Sequence, residues 1–64
     1  MKVIHVIRLL EKDGWYLVKS RGGHRQFKHA YKKGRVTVPG AMSDDLPAGT
    51  LHSISKQAGV RLKP

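Results

Sequence analysis

A chain of 64 residues that contains no cysteine has no staple available to it, neither a disulfide framework nor a thiolate zinc site. It must be held by its secondary structure and one thin core, because a chain this short buries only roughly 60% of the surface that its unfolded form exposes. The length therefore admits a single domain, residues 1–64, and excludes large catalytic scaffolds and deep cofactor cavities, so no small-molecule cofactor is expected. The apolar fraction, 39%, is too high for a disordered basic tail, and the apolar residues recur periodically. No apolar run exceeds the four residues Trp15-Tyr16-Leu17-Val18, which predicts neither a membrane span nor a secretory signal and makes the cytoplasm the expected compartment.

Val3, Val6, Ile7 and Leu10 fall at helical spacing, with His5, Arg8 and Lys12 on the other side of the wheel, and predict a helix from Val3 to Lys12. Asp13-Gly14 supplies its stop. Trp15 to Val18, Arg25 to His29 and Arg35 to Val38 are short β-prone runs, separated by tight turns at Gly22-Gly23 and at Lys33-Gly34. Pro39-Gly40 ends the third run, a loop passes through Asp44, Asp45 and Pro47, and Thr50 offers an N-cap for a second helix. Leu51, Ile54 and Ala58 form that helix's apolar stripe, and Gly59 closes it. The expected fold is α+β, in the order α-β-β-β-α. Two helices would cover one face of a three-stranded antiparallel sheet and leave the other face wet. If Phe27 points into the core, His24, Gln26 and Lys28 point the opposite way, onto the open face.

The formal net charge is +9, from thirteen Lys and Arg against four Asp and Glu. Lys19, Arg21, Arg25, Lys28, Lys32, Lys33 and Arg35 crowd into the strand region, and no acid occurs between Gly14 and Ser43. A field of this kind concentrates a polyanion and releases its counterions on binding, which points to nucleic acid. A solvated face and an anionic membrane surface are the competing readings, but neither helix carries the Trp or Phe wedge of an interfacial anchor. Trp15, at a strand start, suits packing better than stacking on a base.

His5, His24, His29 and His52 show no ligand spacing, so no metal site is expected. His5 and His52 read as exposed helix positions, and His29 suits either surface or core. His24 differs, because Gly22 and Gly23 precede it and cations surround it. Glycines let a phosphate approach exposed backbone N–H groups. A histidine, titrating near neutrality, can shuttle the proton when a ribose 2′-hydroxyl attacks a phosphodiester, and Lys or Arg can offset the charge that develops on phosphorus. By itself Gly-Gly-His is also what an ordinary polar hairpin carries.

The succession Leu10-Glu11-Lys12-Asp13-Gly14-Trp15, Gly22-Gly23-His24-Arg25-Gln26-Phe27-Lys28-His29, Val36-Thr37-Val38-Pro39, Leu46-Pro47-Ala48-Gly49-Thr50-Leu51 and Ile54-Ser55-Lys56-Gln57-Ala58-Gly59 resembles the HicA family of mRNA interferase toxins, in order and spacing over nearly the whole chain. The resemblance implies a double-stranded-RNA-binding-domain-like fold, ribosome-independent cleavage of mRNA, growth arrest when unopposed, and neutralisation by a HicB-type antitoxin. The family's catalytic histidine lies in Gly-Ser-His and corresponds to His24, with Gly23 standing where the serine would be. Many members also carry a histidine after the Val-Pro of the third strand, where this chain reads Gly40-Ala41-Met42. The expected complementary acid or base is then water, a lysine, or His29 if it can reach.

Overall fold

Val3, Val6, Ile7 and Leu10 are buried along one side of helix α1, Val3–Lys12, the span that the periodicity predicts. The computed structural model describes residues 1–63 and continues with strands β1 (Tyr16–Arg21), β2 (His24–Lys28) and β3 (Val36–Pro39) and helix α2 (Ala48–Ala58). The strands form one antiparallel sheet in the order β1-β2-β3. The expected α+β architecture is thus the one observed. Both helices pack on the face that carries Phe27, Val36 and Val38, chiefly over β3, and their buried residues join Trp15, Leu46 and Leu62 in a single core.

Element boundaries depart from the sequence reading at several points. The second helix starts at Ala48 with Pro47 as its N-cap in extended backbone, and no side chain caps it, so Thr50 lies inside the first turn. Proline's fixed φ suits this entry, and its carbonyl accepts the N–H of Leu51 at 3.0 Å. Trp15 precedes β1 and packs in the core, and β1 runs on to Arg21. The third strand begins at Val36 and ends on Pro39, which an edge strand tolerates.

The connection between β2 and β3 spans residues 29–35 and is not a tight turn at Lys33-Gly34. His29 organises it. Its Nδ1 accepts the backbone N–H groups of Tyr31 (3.0 Å) and Lys32 (3.2 Å), which assigns the ring proton to Nε2, and Nε2–H donates to the Asp13 carbonyl at 2.7 Å. The ring also meets Trp15 edge-on, with centroids 5.2 Å apart. Gly14 has to be glycine here, since its φ is +106° and a Cβ would lie 2.8 Å from His29 Nε2. Lys32 then ties the layers together: its ammonium binds the Asp13 carboxylate at the end of α1 and donates to the Ala58 carbonyl at the end of α2 (2.9 Å). A cation at a helix C-terminus meets the negative end of the helix dipole and its unpaired carbonyls. The same ammonium holds the Asp13 carboxyl below the usual carboxylate range.

Candidate nucleic-acid interface

Arg21 and His24 face each other across a hairpin of two residues, Gly22 and Gly23, with φ of +55° and +82°. Two successive positive φ angles define the tight hairpin turn whose twist matches that of the flanking strands, and glycine meets the requirement at no steric cost. The Gly23 carbonyl accepts the N–H of Gly40 at 2.8 Å, so the turn is also tied to the end of β3. His24 therefore stands, exposed, on the first residue of the central strand, with Arg21 on one side and Pro39 on the other.

The register decides which side chains share its face, because directly opposed residues of antiparallel strands project to the same side. Tyr16 lies opposite Lys28 and Leu17 opposite Phe27, but the next paired residue of β1 is Lys19, opposite Gln26. Val18 is the extra residue of a β-bulge, which shifts the phase of the strand. Strict alternation from Tyr16 would have turned Lys19 and Arg21 towards the helix side. With the bulge, Tyr16, Lys19 and Arg21 all join His24, Gln26 and Lys28 on the open face. From β3 come Thr37 and Pro39, opposite Gln26 and His24. Arg35, just before β3, donates from Nη1 to Gln26 Oε1 at 2.9 Å.

Among the sequence-predicted residues, the open face thus gathers His24 and Arg21 beside the Gly22-Gly23 turn, Lys19 and Arg35 further along it, and Lys28 at its far end. Three others lie elsewhere. Arg25 follows Phe27 to the helix side, where its Nη1 donates to the Gly40 carbonyl at 2.7 Å and braces the segment beside the turn. Lys32 is engaged with Asp13 and the end of α2. Lys33 is exposed in the connection before β3. His29 has both ring nitrogens committed to backbone groups and sits five residues from His24, roughly 16 Å along an extended strand. It cannot serve as the complementary acid or base. His5 and His52 are exposed on the helices, as expected.

Sequence reasoning placed Gln26 on the open face without giving it a role, and left Tyr16 out. Gln26 had a usable signal, its alternation with Phe27. Tyr16 had none, since its neighbour Leu17 is equally apolar and the bulge has no mark in the strand's composition.

The arrangement is a surface with three cations and no carboxylate among the residues that the register assigns to it, joined by Arg35 through Gln26, and no pocket is present among the described residues. Such a face can hold a polyanion by its phosphates and present one imidazole to it. Among the described residues no three His, Cys, Asp or Glu side chains come together as a metal-holding group. Among the described residues no helix is long and apolar enough to cross a membrane. No curated protein matches the chain. Residues 5–60 match the family model described as HicA toxin of bacterial toxin-antitoxin, a span that takes in α2, all three strands, the hairpin of His24 and all of α1 but its first two residues, so the chain belongs to the HicA toxin family.

Proposed function

We propose that this chain is a ribosome-independent mRNA interferase, a metal-independent endoribonuclease of the cytoplasm in which His24 is the general acid/base and which a HicB-type antitoxin neutralises. The observation that supports this reading is the exposed His24 at the turn end of an acid-free, cationic sheet face, with Arg21 directly across from it. In the reaction, the ribose 2′-oxygen attacks phosphorus and its proton passes to the His24 imidazole. The bond from phosphorus to the 5′-oxygen breaks, and that oxygen takes up a proton, leaving a 2′,3′-cyclic phosphate and a 5′-hydroxyl. Proton transfer of this kind contributes roughly 10² to 10⁴ in rate. Arg21 offsets charge developing on phosphorus, while Lys19, Lys28 and Lys33 hold neighbouring phosphates and Arg35 contacts the RNA beside Gln26. Gly22 and Gly23 keep the backbone beside His24 open to the scissile group. With His29 committed to the fold, water or a lysine supplies the second proton transfer. The antitoxin covers the same face with acidic groups, since complementary charge gives fast capture and occlusion together.

The test is an assay of the protein and its His24→Ala variant on a defined single-stranded RNA in EDTA, with end-group analysis. Cleavage by the unaltered protein alone, ending in a 2′,3′-cyclic phosphate, is the expected result. Equal cleavage by the variant would sink the mechanism. A second reading rests on the segment Pro39-Gly40-Ala41 beside His24, which brings no titratable side chain to the scissile position. In it the chain binds RNA or the antitoxin without cutting, and both proteins of the assay bind RNA and leave it intact.

A further inference from the structure

Tyr16 is half exposed at 51% and takes no part in the core, which is already closed by Trp15, Phe27 and the aliphatic residues of both helices. It lies on the open face beside Lys28. Along β2 that face is organised in three rows: Arg21 with His24, Lys19 with Gln26, and Tyr16 with Lys28. Successive rows are about 6.8 Å apart, two residues of antiparallel strand, a repeat comparable to one nucleotide of an extended single strand. Each row pairs at least one cation with a group able to meet a sugar or a base.

The middle row has a defined polarity. An arginine can only donate hydrogen bonds, so the contact from Arg35 Nη1 fixes Gln26 with its amide oxygen towards the guanidinium and its NH₂ turned away. Gln26 and the remaining N–H groups of Arg35 then offer donors. A base whose edge carries acceptors, such as guanine with its O6 and N7, suits that position better than adenine, which places a donor beside its N7. In the outer row a phenol ring beside an ammonium is a platform for a base, because every base has a π-face and its backbone phosphate meets the cation.

We infer that Tyr16 and the Gln26–Arg35 pair form a base-reading subsite for single-stranded RNA, adjoining the scissile phosphate at His24, with Tyr16 stacking one base and Gln26–Arg35 selecting the base between it and the cut. The inference rests on the proposed nuclease reading for its orientation relative to the cut. RNA binding by the His24→Ala protein tests it separately from cleavage.

The experiment measures binding of single-stranded RNA octamers that differ at one base to the His24→Ala protein, carrying in addition Tyr16→Ala, Tyr16→Phe, Gln26→Ala or Leu17→Ala. The cut positions made on a mixed RNA by the same four variants with His24 intact are mapped in parallel. Tyr16→Ala is expected to weaken binding about 5- to 150-fold, the range for loss of one base stack, and Tyr16→Phe to restore it. Gln26→Ala flattens the preference for guanine over adenine and spreads the cut positions. Leu17→Ala, one residue from Tyr16 but directed to the other side, stays at the parent value. Tyr16→Ala that binds and cuts as its parent does would overturn the subsite while leaving the nuclease standing. Tyr16→Ala that leaves RNA binding intact but weakens capture by an acidic antitoxin would overturn it too, and would return the ring to the protein partner. Absence of cleavage with the Tyr16 and Gln26 effects on binding intact would keep the subsite and remove the nuclease.

Discussion

The two edge strands of the sheet lead opposite lives. β3 lies under the helices and buries Val36 and Val38 completely, whereas all six residues of β1 are exposed. Between them β2 belongs to both, with Phe27 in the core and His24 in solvent only three residues away. A small domain with one thin core can still keep a second surface free, provided that this surface is concentrated on the edge the helices do not need. Stability and ligand contact should then respond to different substitutions.

The cleanest way to break that separation is the pair Phe27 and Leu17, which face each other directly across β1 and β2. Phe27→Ala should cost about 3–5 kcal/mol, as large-to-small changes of buried aromatics do. Leu17, 50% exposed, is expected to change stability by no more than about 0.5 kcal/mol when replaced by alanine. Urea unfolding of both variants decides it. Comparable losses at the two positions would mean that β1 carries part of the core after all.

A finer comparison sets Lys19 and Arg21 against Arg25. All three are basic and lie within seven residues of one another, yet the bulge at Val18 sends the first two to the open face while Arg25 braces the Gly40 carbonyl. Replacing Lys19 or Arg21 with alanine should reduce the dependence of log K for single-stranded RNA on log salt by about 0.7 each, and leave the melting temperature nearly unchanged. Arg25→Ala should do the reverse, lowering the melting temperature with the salt slope preserved. A slope that falls equally in all three variants would show that the face is not divided as the register divides it.

The smallest effect concerns the helix side alone. Lys32 lowers the Asp13 carboxyl below its ordinary value of 3.8, so ionised Asp13 contributes stability that is fully present above about pH 4 and is lost as the pH falls through the lowered value. Asp13→Asn should therefore melt lower than the unaltered protein at neutral pH, and the gap between them should close as the solution is acidified. RNA affinity at pH 7 is expected to be the same for both. A gap that stays constant down to pH 2 would place the role of Asp13 in its shape and not in its charge.

What could be read from the chain was what local chemistry dictates. The spacing of Val3, Val6, Ile7 and Leu10 sets α1, two adjacent glycines set the hairpin, and alternation about Phe27 turns His24 outward. What could not be read depended on partners distant in sequence. Val18 becomes a bulge only through its pairing with β2, and the face of Lys19 and Arg21 follows from that pairing. The ammonium of Lys32 finds Asp13 nineteen residues earlier and Ala58 twenty-six later, so composition counted it among the cations free to meet a phosphate. The turn of Arg25 towards the Gly40 carbonyl was illegible for the same reason, since that acceptor lies fifteen residues away. The start of α2 was missed because threonine is a better cap by side-chain chemistry, while Pro47 enters the helix by backbone conformation.

β1 also has an unpaired outer edge, and it displays Tyr16, Leu17 and Val18 in succession, the kind of segment along which a second molecule can add as a further strand. The bulge kinks that edge, and Lys19 and Arg21 charge it. Kinks and charged side chains on an exposed edge discourage one copy of a chain from templating the next. Loss of the charges of Lys19 and Arg21 would favour association of copies along this edge.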